Sequence, residues 1–189
     1  MAPNKQQRPD DEKLREMILH LSDLSAQDRH FGAIKLNKLL FYADVLAYQL
    51  YGQSITGQEY QALPQGPAPR RLKPVMERMK KAGELRTQRT LVGRFTQLRP
   101  VAGRLPNLSK FTKQENDLIL RVVKRFWDYN ATEISEESHF FLGWKLANRG
   151  ETIPYNVALI GSRKPTEAEK RKGRALQKFA RETLAGGHR

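Results

Sequence analysis

The sequence predicts a mainly α-helical, compact domain with a small β-hairpin or other β element between its helices. Apolar side chains recur every three or four residues in several separate segments, which is the pattern of helices with one buried face. Between two of these segments, short runs alternate polar and apolar residues, which is typical of strands. The hydrophobic content of 39% is enough to build a core in a chain of 189 residues.

The first fifty residues predict two helices. One begins at Asp10, where three consecutive acidic residues suit the positive end of a helix dipole. The next covers residues 31–51, FGAIKLNKLLFYADVLAYQLY, and its wide apolar face predicts a helix that other elements surround. Gly52 suits the end of this helix. Residues 55–63 have the mixed character of a strand or a loop.

Proline and glycine then divide the middle of the chain. Gly66-Pro67 breaks it, and either Pro67 or Pro69 is expected in the first turn of a third helix, where a missing N–H costs nothing. Pro74 would kink that helix if it lay beyond the first turn.

A basic β-hairpin is expected after the third helix. The segment 84–101 alternates polar and apolar residues, and its turn is expected near Arg89 or Gly93. A helix followed by a basic hairpin also fits the end of a winged-helix pattern.

Two capping boxes mark helix starts in the last third of the chain. Thr112 with Glu115, and Thr166 with Glu169, have the spacing at which each side chain bonds the other's backbone N–H. The first opens a helix and the second opens a basic helix close to the chain end. Between them, a single helix is expected from near Ile134 to just before Gly150.

These patterns predict three regions. Residues 1–9 are polar and are expected to form a disordered leader, residues 10–160 the domain, and residues 161–189 a basic helix or tail. The chain has no cysteine, no apolar run of membrane length and no apolar signal core. The expected localisation is therefore cytoplasmic.

The positive charge is concentrated in two blocks. The net charge is +14, and residues 69–104 hold 11 of the 34 Lys and Arg residues but only 2 of the 20 acidic ones. The second block is the basic tail. Such blocks indicate an anionic partner, either nucleic acid, an acidic protein or a charged membrane surface. A solvated face without a partner is the alternative interpretation. Phe95 is the one aromatic residue of the first block, which disfavours stacking on single strands.

No nucleotide site is predicted. Gly52 and Gly57 have the spacing of a P-loop, but Gln58 and Glu59 follow where Lys and a hydroxyl residue are needed. A carboxylate beside a phosphate is repulsive. Two glycine turns are the preferred interpretation.

Catalysis has one weak candidate. His139 lies beside Ser135 and Ser138, which would suit a base activating a serine, but no third orienting group is visible. A partly buried histidine that pairs with its own helix is preferred. None of the four histidines has a metal-ligand spacing, so no metal, cofactor or enzymatic activity is predicted.

Five motifs in order resemble the Panacea domain, the SocA-like antitoxin family, also labelled phage-associated proteins. They are KLNKLLFYAD, YGQSITGQEY, ALPQGP, ISEESHFFLGW and the Ile-Pro-Tyr at residues 153–155. The resemblance covers residues 31–159. The matching positions are Lys35, Lys38, Tyr42, Gly52, Gly57, Tyr60, Gly66, Pro67, Ser135, His139 and Trp144. Ala68 departs from the pattern, because a branched aliphatic residue commonly follows the Gly-Pro pair in the family.

The resemblance implies an antitoxin that neutralises a toxin encoded beside it, usually by direct binding. Members face unrelated toxins, including nucleotide-synthetase-like enzymes that block translation, and one member delivers its toxin to a protease. No catalytic residue is assigned to the fold, and the Gly-x4-Gly and Gly-Pro segment is a structural signature.

Toxin contacts are expected on the segment 66–71 and on the basic helix after it, because both are expected to be exposed. The residues are Gly66, Pro67, Arg70, Arg71, Lys73 and Arg78. Two alternatives stay open. The basic helix and hairpin would suit a regulator that binds operator DNA, and flexible chain ends would suit an adaptor between toxin and a cytosolic protease.

Overall fold

A computed structural model describes residues 7–93 and 95–160, together with residue 171. The chain divides into two compact units, Met1–Ala158 and Leu159–Arg189. Almost all of the second unit, with the expected capping box of Thr166 and Glu169 and its basic helix, lies outside the described residues. The first six residues of the expected leader lie outside them as well.

The described part of the first unit is mainly helical with small β elements, as the sequence predicts. Its helices are α1 (Asp11–Leu24), α2 (Ala33–Tyr51), α3 (Leu72–Lys81), α4 (Lys113–Arg125), α5 (Ala131–His139) and α6 (Leu142–Leu146), with 3-10 turns at Leu108–Lys110 and Tyr155–Leu159. Its strands are β1 (Tyr60–Leu63), β2 (Gly66–Pro69), β3 (Leu85–Val92), β4 (Phe95–Ala102) and β5 (Thr152–Ile153). The strands form a sheet in the order β2-β1-β5 and a separate β3-β4 hairpin.

Helix α1 begins where the acidic residues predict. The Asp10 side chain accepts a hydrogen bond from the Lys13 backbone N–H at 2.9 Å, so it satisfies one free donor of the first turn. Leu14, Met17 and Ile18 then point into the main core.

Helix α2 is the central element of the fold. One side, with Leu36, Leu39 and Leu40, belongs to the main core, whereas Phe41 and Val45 belong to a second cluster. Elements therefore pack on both sides of α2, which confirms the prediction of a surrounded helix. Gly52 ends α2 with a positive φ of 76°, a conformation that glycine adopts without a Cβ clash.

The prediction that Pro67 or Pro69 opens the third helix is wrong. Both prolines lie in β2, which pairs antiparallel with β1 from Leu63↔Gly66 to Tyr60↔Pro69. Because β2 is an edge strand, residues without a backbone N–H are tolerated there. Helix α3 starts at Leu72, so Pro74 falls in its first turn and produces no kink.

The basic hairpin forms as expected, and its turn is at Gly93, with a φ of 59°, rather than at Arg89. The pairing runs without a break from Leu85↔Ala102 to Val92↔Phe95. The element directly before α3 is strand β2, so α3 is not the second helix of a helix-turn-helix.

Arg99 fastens the hairpin to the loop after α1. Its guanidinium donates to the backbone carbonyls of Ser25, Ala26 and Asp28 at 2.7–2.8 Å. Gln97, two residues earlier on the same face of β4, donates to the Phe31 carbonyl at 2.6 Å. One face of the hairpin is therefore attached to backbone.

The capping box of Thr112 and Glu115 is confirmed at the start of α4. A second box, formed by Asn130 and Glu133, was not predicted, and it starts α5 at Ala131. The single helix expected from near Ile134 is wrong, because it divides into α5 and α6.

The division of that helix follows from the packing of Phe141. Its backbone is extended at φ −65° and ψ 120°, and its ring meets the Phe41 ring edge-on at 5.1 Å. The chain turns at this point to bury the ring against α2, and Gly143 in α6 comes close to Ile153 of β5.

Candidate functional site

Three signature side chains from three helices hold the β1–β2 turn. Lys38 of α2 donates to the Pro67 carbonyl at 3.0 Å, and Trp144 of α6 donates through its indole N–H to the Leu63 carbonyl at 2.9 Å. His139 at the end of α5 interacts with the backbone of Pro64. The turn is thus fixed by side chains that lie far apart in sequence.

Gly66 meets both Lys38 and Ser138 at this turn. Its φ is +97°, and a Cβ there would lie 2.2 Å from the Ser138 Oγ and 2.7 Å from the Lys38 Nζ. Only glycine fits, both in conformation and in space. Gly66 and Pro67 are buried, which corrects the expectation that they are exposed.

Lys38 is 2% exposed, and no ion pair within residues 7–93 and 95–160 includes it. The Pro67 carbonyl is its one hydrogen-bond acceptor, and no carboxylate of the described residues pairs with it. Burial lowers the pKa of the Lys38 ammonium to about 7. An amine in this state is charged in only part of the molecules at neutral pH.

Lys35 is equally buried, but all of its donors have acceptors. Its ammonium lies 2.6 Å from the Asp28 carboxylate and donates to the Trp127 and Tyr129 carbonyls at 2.7 Å each. The side chain therefore joins the loop after α1 to the end of α4. Asp28 was not identified from the sequence, because nothing in its local pattern shows a partner seven residues away in a helix.

Asp44 is the centre of a second buried polar group. Its carboxylate accepts hydrogen bonds from the Thr56 backbone N–H at 2.8 Å, the Thr56 hydroxyl at 2.5 Å and the Tyr60 hydroxyl at 2.7 Å. Burial raises the pKa of the Asp44 carboxyl, and these hydrogen bonds oppose the rise. Asp44 was not predicted to have a role, although an acidic residue on the buried side of an apolar helix is a signal that the sequence contains.

The glycine segment before β1 is a pair of turns. Gly57 has a φ of +65°, and a Cβ on it would lie 2.4 Å from the Arg8 carbonyl oxygen. The Tyr155 hydroxyl donates to the Gln58 carbonyl at 2.7 Å, and burial raises the pKa of Tyr155. Gln7 accepts a hydrogen bond from the Ser54 hydroxyl at 2.9 Å.

Tyr42 belongs to an aromatic group between α2 and α4. Its ring stacks on the Phe126 ring at a centroid distance of 4.5 Å and meets Phe41 edge-on. Burial raises the pKa of the Tyr42 hydroxyl. This contact, like those of Lys35, attaches α2 to α4.

His139 and the two serines do not form a serine–base pair in the described structure. The Ser138 hydroxyl donates to the Ser135 carbonyl at 2.7 Å, which is a bond within α5. The His139 ring stacks on the Trp144 ring at 3.9 Å and 13°, and burial, followed by the charge of nearby Lys38, lowers the pKa of His139. His139 is partly buried, as the preferred interpretation expects, but its partners are Trp144 of α6 and the backbone of Pro64 and not its own helix α5.

The remaining expected contact residues are exposed cations, and three of them have internal partners. Arg71 and Arg78 both pair with the Asp11 carboxylate of α1, at 2.5 and 2.8 Å. Arg70 donates to the Gly150 carbonyl and the Thr152 hydroxyl. Lys73 is exposed, and none of the ion pairs of the described residues includes it.

Part of the basic block is structural. Arg104 pairs with Glu16 at 2.6 Å and with Glu84 at 3.1 Å, and Arg99 bonds backbone carbonyls. The exposed cations that remain on α3 and the hairpin include Lys73, Arg86 and Arg89. Arg94 lies outside the described residues.

The outer part of the hairpin exposes large apolar side chains. Leu91 is 75%, Phe95 69% and Leu98 47% exposed. Leu91 and Leu98 share one face with Arg89, because Arg89 pairs with Leu98 across the strands. The sequence predicts the strands but not this exposure, which depends on what covers them.

A cavity of about 300 Å³ lies between α2 and the β1–β2 turn. Its walls include Ile34, Asn37, Lys38, Leu63, Gln65 and Gly66. A larger groove of about 920 Å³ runs past Gln7, Ser54, Thr152 and Tyr155. Within residues 7–93 and 95–160, no group of three His, Asp or Glu side chains is placed to hold a metal ion. None of the described helices combines the length and the apolar character that crossing a membrane requires.

Fold and site together define a mainly helical domain whose signature residues hold backbone turns in place. The chain belongs to the antitoxin SocA-like, Panacea domain family, whose profile matches residues 36–145, more than half of the 189 residues. The match begins in α2 and ends in α6, so it contains Lys38, Gly66, His139 and Trp144. The comparisons with curated proteins and with solved structures return no match.

Proposed function

We propose that this protein is a cytoplasmic antitoxin that neutralises a cognate toxin by direct protein–protein binding. Membership of the antitoxin SocA-like family supports the antitoxin role. The observation that supports direct binding is the outer hairpin, where Leu91 and Leu98 are exposed beside Arg89 on one face and Phe95 is exposed on the other face next to the turn. Exposed apolar side chains grouped in this way mark protein interaction sites.

The hairpin would supply affinity and the cations would supply selectivity. Burying one large apolar side chain fully contributes about 1.5–3 kcal/mol, so the two leucines on one face are a substantial part of a stable interface. The neighbouring Arg86 and Arg89 favour an acidic rim on the partner. A toxin that binds phosphates carries a basic site of its own, so the positive surface of this chain would meet a different, acidic face.

The cations on α3 and directly before it form the second part of the proposed contact surface. Arg70, Arg71, Lys73 and Arg78 are all exposed in spite of their internal bonds. Gly66 and Pro67, which the sequence analysis placed in the same surface, would act indirectly by fixing the strand that leads to α3. A translation-blocking nucleotide-synthetase-like enzyme is one of the unrelated toxin classes that members of the resembled family face.

The test is recovery of the partner from the native host. Tagged protein at native expression is purified at moderate salt, with and without nuclease. One small protein recovered in near-equal amount after nuclease supports the proposal. Recovery of nucleic acid alone, lost with nuclease, contradicts it. Toxin abundance measured in the same cells separates inhibition, which leaves the toxin intact, from delivery to a protease.

The hairpin has a matched control within the chain. Replacing Leu91 and Phe95 with Ser should weaken toxin binding and rescue, whereas Leu120→Ser on α4, also at an exposed leucine, should leave both unchanged. Circular dichroism and unfolding curves establish that all variants fold. Equal rescue by the hairpin variant and the control would remove the hairpin from the interface.

A DNA-binding regulator is the second candidate, because exposed cations lie on both α3 and the hairpin. Its discriminating property is a steep fall of promoter-DNA affinity with salt, about one power of salt concentration for each phosphate contact. Lys73→Gln and Arg89→Gln should each reduce that slope if DNA is the partner. A slope close to zero would exclude this candidate.

A further inference from the structure

We propose that the cavity beside Lys38 is a binding site for one carboxylate group, presented either by a side chain of the partner or by a small organic acid. If the carboxylate is a side chain of the partner, this inference rests on the proposed function. The existence of the site does not depend on it. The site is supported by the buried Lys38, which lines a cavity of about 300 Å³ and whose ammonium has no acidic partner among the described residues.

The hydrogen-bond capacity of Lys38 is only partly used. A lysine ammonium has three N–H donors, and the Pro67 carbonyl accepts from one of them. Lys35, one helical turn earlier, has three acceptors, and one of them is the Asp28 carboxylate. The same helix thus contains one lysine with its anion and one without.

The groups that surround Lys38 do not supply a negative charge. From α5, the Ser138 hydroxyl gives its hydrogen to the Ser135 carbonyl, and His139 is neutral or positive. From the β1–β2 turn come Gln65 and backbone, and from α2 itself Asn37. An anion that reaches Lys38 therefore comes from outside the described chain.

The cavity walls select a carboxylate with a short apolar stem. Ile34, Leu63, Pro64 and Ala68 supply apolar surface, and Asn37 and Gln65 add amide groups. One ammonium balances one negative charge, whereas a phosphate dianion needs more donors than this site offers. The volume is at the lower end of ligand pockets, which favours a small acid over a nucleotide.

Binding should depend on pH because the ammonium must be charged. Burial lowers the pKa of Lys38 to about 7, and a bound carboxylate would raise it. Carboxylate binding then takes up a proton above neutral pH, and affinity should fall about tenfold for each pH unit above 7. Among the described residues, His139 is a titratable group whose pKa the charge of Lys38 lowers, and this lowered pKa keeps it neutral over that range.

The experiment is a titration of the full chain with sodium butyrate at constant ionic strength, followed by nuclear magnetic resonance of the lysine side chains. We expect a saturable shift of the Lys38 signals and a higher pKa for Lys38 in the bound state. The exposed Lys73 is the internal control. Lys38→Met, which keeps the length of the side chain and removes the charge, should abolish protection of the protein by butyrate against thermal unfolding.

Two further measurements, competition between butyrate and the toxin and toxin binding by Lys38→Met, distinguish a side chain of the partner from a free organic acid. If butyrate competes with the toxin and Lys38→Met weakens toxin binding at least tenfold, the carboxylate is a side chain of the partner. If butyrate binds while toxin affinity is the same in Lys38→Met, the cavity takes a free organic acid and the proposed function is unaffected. Lys38 signals that shift no more than those of Lys73 overturn the site, whatever the variant does to toxin binding. If the protein binds no toxin, the proposed function is refuted. The butyrate titration still decides whether the carboxylate site beside Lys38 exists.

Discussion

Lys35 and Lys38 lie one turn apart on α2 and are both almost fully buried, yet within the described part of the chain only Lys35 has a carboxylate beside it, that of Asp28 at 2.6 Å. The difference separates two roles. Lys35 joins three elements through a satisfied ion pair, whereas Lys38 holds one carbonyl of the β1–β2 turn and lines a cavity.

The stability of the protein should rise with pH because of Lys38. Its pKa is about 7 in the folded state against 10.5 ordinarily, so between these values the unfolded chain binds more protons. The free energy of unfolding should then increase by about 1.4 kcal/mol per pH unit relative to Lys38→Met, which lacks the group. Urea unfolding of both proteins over this range measures the difference. If the free energy of unfolding changed with pH in the same way in both proteins, the inference that Lys38 is a buried amine without a counter-charge would be wrong.

Removing the partner of Lys35 should be strongly destabilising. Asp28→Asn keeps the shape of the side chain but leaves a buried ammonium without its anion, and breaking such a pair costs about 3–5 kcal/mol. The matched control is Asp117→Asn, which breaks the exposed pair with Lys113 and should cost less than about 1 kcal/mol. Chemical denaturation provides both values. A small effect of Asp28→Asn would mean that the carbonyls of Trp127 and Tyr129 alone are enough to stabilise the buried Lys35 ammonium.

Gly66→Ala tests whether the β1–β2 turn is crowded. The methyl group would lie 2.2 Å from the Ser138 Oγ, so we expect a destabilisation of several kcal/mol, on the order of strain plus clash. Gly83 also has a positive φ, of 74°, but open space around it, so Gly83→Ala should cost only about 1 kcal/mol. Equal losses of stability in the two variants would show that the positive φ, and not the space occupied by Ser138 and Lys38, is what requires glycine at position 66.

The two kinds of cation on α3 should respond differently to charge reversal. Lys73→Glu should weaken toxin rescue and leave thermal stability unchanged, because Lys73 is exposed without an ion pair among the described residues. Arg71→Glu should weaken rescue and also lower stability, since it would place a second carboxylate beside Asp11, whose pKa the Arg71 hydrogen bond lowers. Full rescue by both variants would remove α3 from the proposed interface.

Local rules predicted the helices of the first half of the chain, the hairpin and the capping box of Thr112, because each depends on residues close in sequence. They failed where a distant element decides. Pro67 suits a helix start until β1 is present to pair with it, and the helix expected from near Ile134 divides because Phe141 packs on Phe41.

The buried polar residues show the same limit. The family resemblance marked Lys35 and Lys38, but their acceptors lie 7 to 94 positions away, in other elements. The sequence therefore pointed to the residues, and only the fold shows that one has an anion and the other does not.

The attachment of the hairpin has a consequence for how such proteins diverge. Arg99 and Gln97 donate hydrogen bonds to backbone carbonyls, which every amino acid has. Most side-chain substitutions in the loop after α1 would therefore leave these hydrogen bonds in place. At the outer end of the hairpin, Leu91 and Phe95 are 75% and 69% exposed. Residues at the outer end of the hairpin can therefore change during evolution while its attachment to the domain is kept. The specificity for a proposed partner could then change without a change of fold.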